Sequence, residues 1–330
     1  MPVFAVEELI PRLREIFKER GLSIHDAKVM ADIVLDAEAS GRKTHGLIRV
    51  PWILDQLAVK GHPRGKWLLA KETFALYDGC NGLGYLVAYE CTKKVIKLAG
   101  SSSPALVGAR GATHTGPLGY FAGMCARKGL IGICLADCTA LAAPFGAKSP
   151  VLGTNPLAFG IPFQPEPIIA DLATTAVTYG DCRIAMAEGR RLPEGVALDS
   201  RGKPTTDPEA ALKGGSLLPF GGHKGYALAL VVQILTTALT GAAALPGMRE
   251  DYGFTVIALR RDILAGRNKF DKTLKELIGA VKAAKPADPG KPVLIPGERS
   301  AARRREAFQK GIEIPQSLYE KIFRDRIKKK

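Results

Sequence analysis

The chain has 330 residues, enough to bury a substantial core, and its 46% hydrophobic and 24% charged residues are ordinary for a globular protein, which excludes disordered, fibrous and disulfide-stapled classes. The formal net charge of +15 admits an anionic substrate or cofactor, nucleic acid, or only a well-solvated surface. Much of the excess lies between Arg303 and Lys330, with few aromatic side chains among the cations to stack bases, so a basic nucleic-acid-binding protein is a distant alternative.

The opening MPVFAVEELIPRLREIFKERGL mixes acids, bases and apolar residues at helical spacing, unlike a secretory signal, and predicts an amphipathic helix and a cytoplasmic location. Helices are expected from Val6 to about Ala58, the second starting after Ser23 with Asp26 three positions on, a capping arrangement. From Trp67 to Ile161 apolar runs alternate with glycine-bearing turns. PALVGA, LIGICLADC and PLAFGIP read as strands, and Leu118 to Lys128 as a helix between the first two. This interleaving predicts an α/β centre. Leu192 to Leu217 is turn-rich. Tyr226 to Leu245 is apolar enough to suggest a membrane span, but Gln233, Thr236, Thr237 and Thr240 favour a helix buried in the core and no membrane partner. A strand, FTVIALR, follows, then a helix and loop over Asp271 to Gly290 and a basic helical end from Glu306 to Lys330. The six cysteines show no C-x-x-C pair and no matching histidine pair, so they read as reduced, small buried hydrophobes with no metal.

A dinucleotide fingerprint, G-x-G-x-x-G between a strand and a helix, is absent. The nearest match, Gly82-Leu83-Gly84-Tyr85-Leu86-Val87, lacks the third glycine and a clear preceding strand. Gly221-Gly222-His223-Lys224 offers a flexible turn at a helix start with a fixed cation, a seat for phosphate or a plain helix start. Of five histidines, His45 follows the Thr44 hydroxyl and has Arg49 one helical turn on, a fork suited to a carboxylate; His114 lies in a loop between a strand and a helix. Alone these features support a basic pocket with a general acid/base.

Together the blocks THGLIR, THTGPLGYFA, GTNPLAFGIP, ADLATTAVTYGD, PEGVALDSRGKPTTDP, GGHKGYALAL and PGERSAARR resemble the malate/L-lactate dehydrogenase family of the second type, which includes sulfolactate and ureidoglycolate dehydrogenases and the Δ1-piperideine-2-carboxylate/pyrroline-2-carboxylate reductases. The resemblance implies a non-Rossmann, three-layer α/β fold with a mixed, partly antiparallel central sheet. It implies a helical dimerisation segment at 1–70 with 290–330, a sheet domain at 71–289, and a homodimer. It implies NADP or NAD as cofactor and hydride transfer at C2 of a small anionic 2-oxo or 2-hydroxy acid, or, as the alternative, of a cyclic imino acid with NADPH. His45, with Thr44 and Asp181, or else His114, would be catalytic. Asp181 would raise the His45 pKa and fix its tautomer. Arg49, Thr154 and Gly180 would hold substrate. The dinucleotide would lie along His114, Thr115, Gly116, Pro117 and Leu118; Leu172, Ala173 and Thr174; His223 and Lys224; and Pro296, Gly297, Glu298, Arg299, Ser300, Ala301 and Ala302. Cys138, Gln233 and Thr44 depart from the residues common in that family.

Overall fold

The computed structural model describes residues 2–245 and 250–323. A short strand β1 (Val3–Phe4) leads into α1 (Val6–Glu19), α2 (Ile24–Ala39), two 3₁₀ turns (Lys43–His45 and Leu47–Arg49) and α3 (Val50–Lys60). The sheet region holds β2 (Lys66–Ala70), β3 (Phe74–Gly82), α4 (Gly84–Ser101), β4 (Ala105–Ala112), α5 (Leu118–Arg127), β5 (Leu130–Ala136), β6 (Leu157–Ile161) and β7 (Ile168–Leu172). Next come α6 (Tyr179–Ala187), β8 (Ala197–Leu198), α7 (Pro208–Leu212), β9 (Ser216–Leu217) and α8 (His223–Thr236). Then β10 (Tyr252–Arg260), α9 (Arg267–Ala283), α10 (Glu298–Lys310), β11 (Ile312–Glu313) and α11 (Gln316–Phe323) complete the described residues.

Seven strands form one sheet in the order β2-β3-β4-β10-β5-β6-β7. Only β3 and β4 run parallel, joined through α4; the other neighbours are antiparallel, including β10, which arrives late in the chain and inserts between β4 and β5. An all-parallel Rossmann sheet is therefore excluded. Side-chain alternation builds three layers. Cys134, Ala136 and Ala158 turn toward the large core shared with α1, α2, α4 and α5, while Ile133, Leu135, Leu157 and Phe159 turn the other way onto Val232 and Leu235 of α8. That large core runs from Val6 to Phe323, and the β1–β11 pair ties the two ends of the chain together.

The Ser23 cap forms as expected, its hydroxyl accepting from the Asp26 amide at 3.0 Å. Other expectations need correction. The apolar stretch after Tyr226 is not a buried helix through Leu245: α8 ends at Thr236, and its Leu228, Leu230, Val231 and Ile234 are exposed, because only the face carrying Ala229, Val232 and Gln233 meets the sheet. No helix among the described residues is long and apolar enough to cross a membrane. The helix α4 was not legible, and a strand does precede Gly82, so Gly82-Leu83-Gly84 is a strand–turn–helix junction after all. Its glycine serves the protein itself. A Cβ on Gly84 would strike the backbone of Thr113 and His114, and the Gly84 amide donates to Thr113 Oγ1 at 3.0 Å. The basic end is helical only in α10 and α11, split by Gly311 and β11; 324–330 lie outside the described residues. Four of the six free cysteines are buried, whereas Cys80 is exposed and Cys138 half-buried.

Candidate active site

His45 and Arg49 do not lie on one continuous helix, as their spacing suggested. After α2 the chain makes two 3₁₀ turns that break at Gly46, and Glu38 stabilises the break by accepting from the Leu47 amide at 2.8 Å. The Glu38 side chain fills the space where a Cβ on Gly46 would stand, so glycine is required there. Thr44 Oγ1 and His45 Nδ1 share a hydrogen bond of 2.9 Å, and Arg49 Nε donates to the Thr44 carbonyl at 2.7 Å. Anchored at Nε, Arg49 keeps its terminal nitrogens without hydrogen-bond partners among the described residues, free for a carboxylate.

The loop between β4 and α5 brings His114 against the same corner. The imidazoles of His45 and His114 stack with centroids 5.5 Å apart and planes 28° from parallel. Trp52 and Tyr85 present edges to His114 at 6.1 and 5.7 Å. Tyr85 is fully buried and packs on the bare Cα of Gly116, where a side chain would overlap its ring. Tyr85 Oη and His114 Nε2 are both buried without a hydrogen-bond partner among the described residues, two polar atoms that a ligand in this corner would satisfy.

Burial first, and then the Arg49 and Arg42 charges, push the His45 pKa down to about 3. Burial, Arg49 and His45 lower His114 well below its ordinary value. Both imidazoles are therefore neutral, and burial holds Tyr85 as a phenol by pushing its pKa up to about 12. The expected rise in the His45 pKa is thus reversed. Asp181 does not reach the imidazole: its carboxylate accepts from the Thr178 amide and hydroxyl, both at 2.8 Å, in a capping box that starts α6. The neighbouring Gly180 does reach the corner, since a Cβ there would stand 2.5 Å from Thr44 Cγ2. Thr154 lies close by. Its carbonyl accepts from the Thr174 amide at 2.9 Å, and its hydroxyl meets the Cys138 thiol, which burial pushes up to about 12.

The stretches expected to line a dinucleotide meet along β7 and its continuation. The Ile169 amide donates to the Pro296 carbonyl at 3.2 Å, and Gly297, in the left-handed region at φ 96°, packs on Ile169 and starts α10. The Gly119 amide in the first turn of α5 donates to Asp171 Oδ2 at 2.8 Å, the carboxylate that also pairs with Arg42. Gly225, in the first turn of α8, abuts the Thr174 carbonyl. Three helix N-termini thus converge on one edge strand and its continuation; that of α5 is taken by the Asp171 carboxylate, and those of α8 and α10 are suited to phosphate. Individual side chains differ. Thr115, Leu118 and Thr174 are buried in the fold, and Glu298 turns back to Lys282 at 2.6 Å and the Ile295 amide. Leu172, Lys224, Arg299 and Ala302 are exposed, Ala173, Ser300 and Ala301 half-buried, and His223 lies edge-on to Phe145 at 6.0 Å. Tyr85, Trp52, Arg42 and Asp171 were not singled out as site residues from the sequence. Only the paired glycines Gly84 and Gly116 hinted at the close packing that brings Tyr85 to His114.

The family model described as malate/L-lactate dehydrogenase matches residues 4–323. The chain belongs to this family. Over 328 residues it is 36% identical to the L-sulfolactate dehydrogenase of Methanothermobacter thermautotrophicus, covering 96% of this chain and 94% of that protein. It is 35% identical to the Δ1-pyrroline-2-carboxylate/Δ1-piperideine-2-carboxylate reductase of Pseudomonas syringae pv. tomato, again over 96% and 94%. The sulfolactate dehydrogenase structure from Methanocaldococcus jannaschii superposes with a TM-score of 0.88 at 32% identity, covering 97% of this chain and 95% of that one. This member of the malate/L-lactate dehydrogenase family is accordingly an oxidoreductase, and its mixed sheet is the family's non-Rossmann fold.

Proposed function

We propose that the protein interconverts a small 2-oxo acid and its 2-hydroxy acid, of the malate, lactate or sulfolactate type, at the Thr44–His45–Arg49–His114 corner. The observation that carries this reading is the Arg49 fork, anchored at Nε and open at its terminal nitrogens, beside two stacked neutral imidazoles. A nicotinamide cofactor, NAD or NADP, supplies the hydride chemistry in this family; the N-termini of α8 and α10 fit its phosphates, and His114 Nε2 and Tyr85 Oη, without partners among the described residues, fit a polar group beside the reacting carbon.

Arg49 holds the substrate carboxylate through paired hydrogen bonds and so fixes C2 beside the imidazoles. With His45 Nδ1–H donating to Thr44 Oγ1, its Nε2 lone pair is free to take the hydroxyl proton during oxidation and return it during reduction. The substrate carboxylate also offsets the Arg49 charge that depresses both histidines, which makes the protonated imidazole needed for reduction more accessible once substrate is bound. His114, stacked on His45, is the competing proton carrier. Gly180 leaves room for Thr44, Thr154 lies on the substrate side, and Asp181, held in the capping box of α6, fixes that helix start instead of serving the imidazole.

The second reading, a cyclic imino acid reductase with NADPH, uses the same corner with an imine nitrogen in place of the carbonyl oxygen; the 35% identity to the Pseudomonas syringae reductase supports it. We further propose a cytoplasmic homodimer built through residues 1–70 with 290–330, the sheet domain 71–289 carrying the site; sedimentation measures that association. The functional test is oxidation of NADH and NADPH with oxaloacetate, sulfopyruvate, pyruvate, Δ1-piperideine-2-carboxylate and Δ1-pyrroline-2-carboxylate, repeated on His45→Ala and His114→Ala. General acid/base loss should cost about 10²–10⁴-fold in the variant that lacks the proton carrier. Turnover of no substrate together with no cofactor binding refutes the reading.

A further inference from the structure

A cleft of about 540 Å³ is lined by residues that adjoin members of the catalytic corner along the chain. Leu141, Met186 and Leu212 give it apolar walls, and its charged groups are Arg183, Glu209 and Lys213. Lys213 and Glu209 pair with each other at 2.5 Å, which leaves Arg183 as the cation of this cleft without an ion pair among the described residues. Two chain segments lead from the cleft to the corner. Thr139 on its rim follows Cys138, whose thiol meets Thr154. Arg183 stands three residues after Gly180 on α6, on the same helix face and about 4.5 Å further along the axis, and Gly180 rests on Thr44.

We propose that Arg183 is the specificity-determining residue that receives a second anionic group, a carboxylate or sulfonate, on the carbon next to C2 of the substrate. This rests on the oxidoreductase reading above. A four-carbon 2-oxo diacid has three C–C bonds of about 1.5 Å between its carboxylate carbons, so its charges stand roughly 4 Å apart. With one end on Arg49, a substrate lying along α6 would turn its far end toward Arg183, whose long side chain can reach back along the helix. A substrate with no second anion leaves Arg183 solvated and gains nothing from it; a fully apolar cleft would instead favour a cyclic imine. Arg183 thus discriminates by charge where the apolar walls discriminate only weakly.

The test compares wild type, Arg183→Leu and Arg183→Lys in steady-state reduction of oxaloacetate, sulfopyruvate, pyruvate and Δ1-piperideine-2-carboxylate. Arg183→Leu should raise KM for oxaloacetate and sulfopyruvate, lowering kcat/KM by roughly 10- to 100-fold, and leave pyruvate within about threefold. Arg183→Lys, which keeps the charge and loses the planar fork, should fall between. A larger loss with one dianion separates sulfonate from carboxylate recognition. Equal losses for all substrates, or none for the dianions, overturn the assignment of Arg183. If wild type reduces only pyruvate or the cyclic imine, the assignment also fails while the oxidoreductase reading stands; turnover of nothing defeats that reading instead. Arg183 is exposed, so either variant should fold, and an unchanged urea midpoint confirms it.

Discussion

Asp137, at the exit of β5, is 2% exposed; its Oδ1 accepts from the Gly253 amide at 2.6 Å, while Oδ2 has no hydrogen-bond partner among the described residues. Burial, reinforced by the nearby Asp251 charge, pushes its pKa up from 3.8 to about 7. Because the folded pKa is raised, the folded state binds the proton more tightly than the unfolded chain. Its stabilising effect is complete below pH 3.8 and is lost as pH rises to about 7. At 1.36 kcal/mol per unit, the three-unit shift makes the ionised carboxylate cost about 4 kcal/mol above pH 8, of which roughly 2–3 kcal/mol develops between pH 5 and 8. Asn does not titrate and can still accept from Gly253. Asp137→Asn should therefore gain stability over wild type by about 2–3 kcal/mol as pH goes from 5 to 8. Urea unfolding at each pH, followed by tryptophan fluorescence, measures this. A stability difference that stays constant over that range, or shrinks with rising pH, would refute the reasoning.

With both histidines held neutral, kcat/KM for hydroxy-acid oxidation should stay flat as pH falls through 6.5, its acid limb lying lower; a limb at or above 6.5 contradicts the depressed pKa values. Arg49→Leu should raise KM by about 100-fold or more, and, by removing a cation beside both imidazoles, move that acid limb upward. Gly180→Ala places a Cβ 2.5 Å from Thr44 Cγ2, so it should cost about 1–3 kcal/mol and lower kcat, and adding Thr44→Ser should restore part of both; no effect would show that α6 does not press on the corner. Asp171→Ala strands the half-buried Arg42 guanidinium and the Gly119 amide together, with an expected loss of about 3–5 kcal/mol by urea unfolding.

What the sequence determined by itself is local. The 3.6-residue spacing of Leu9, Leu13 and Ile16 and the Ser23 cap set α1 and α2, and the apolar runs of β5 and β6 read as strands because each side chain meets a neighbouring layer. The site residues lay in recognisable blocks, and the structure brings His45, His114, Arg49, Gly180 and Thr44 into one corner. The rest depended on contacts between distant segments. Gly82 to Val87 read only as an imperfect dinucleotide match and α4 went unread, since glycine's backbone freedom looks the same whether it serves a turn or a close packing contact. The insertion of β10 between β4 and β5 leaves no trace in either strand. A spacing of four residues promised a helix through His45 and Arg49 where Gly46 breaks it. Asp181 offered an acid to the imidazole, yet the nearer amide and hydroxyl of Thr178 claim it, and two arginines reach His45 instead. A hydrogen bond three residues away forms within its own helix turn, whereas a charge is felt from wherever the fold places it. The sequence therefore named the candidate residues, and only the tertiary structure decided the sign of the field acting on them.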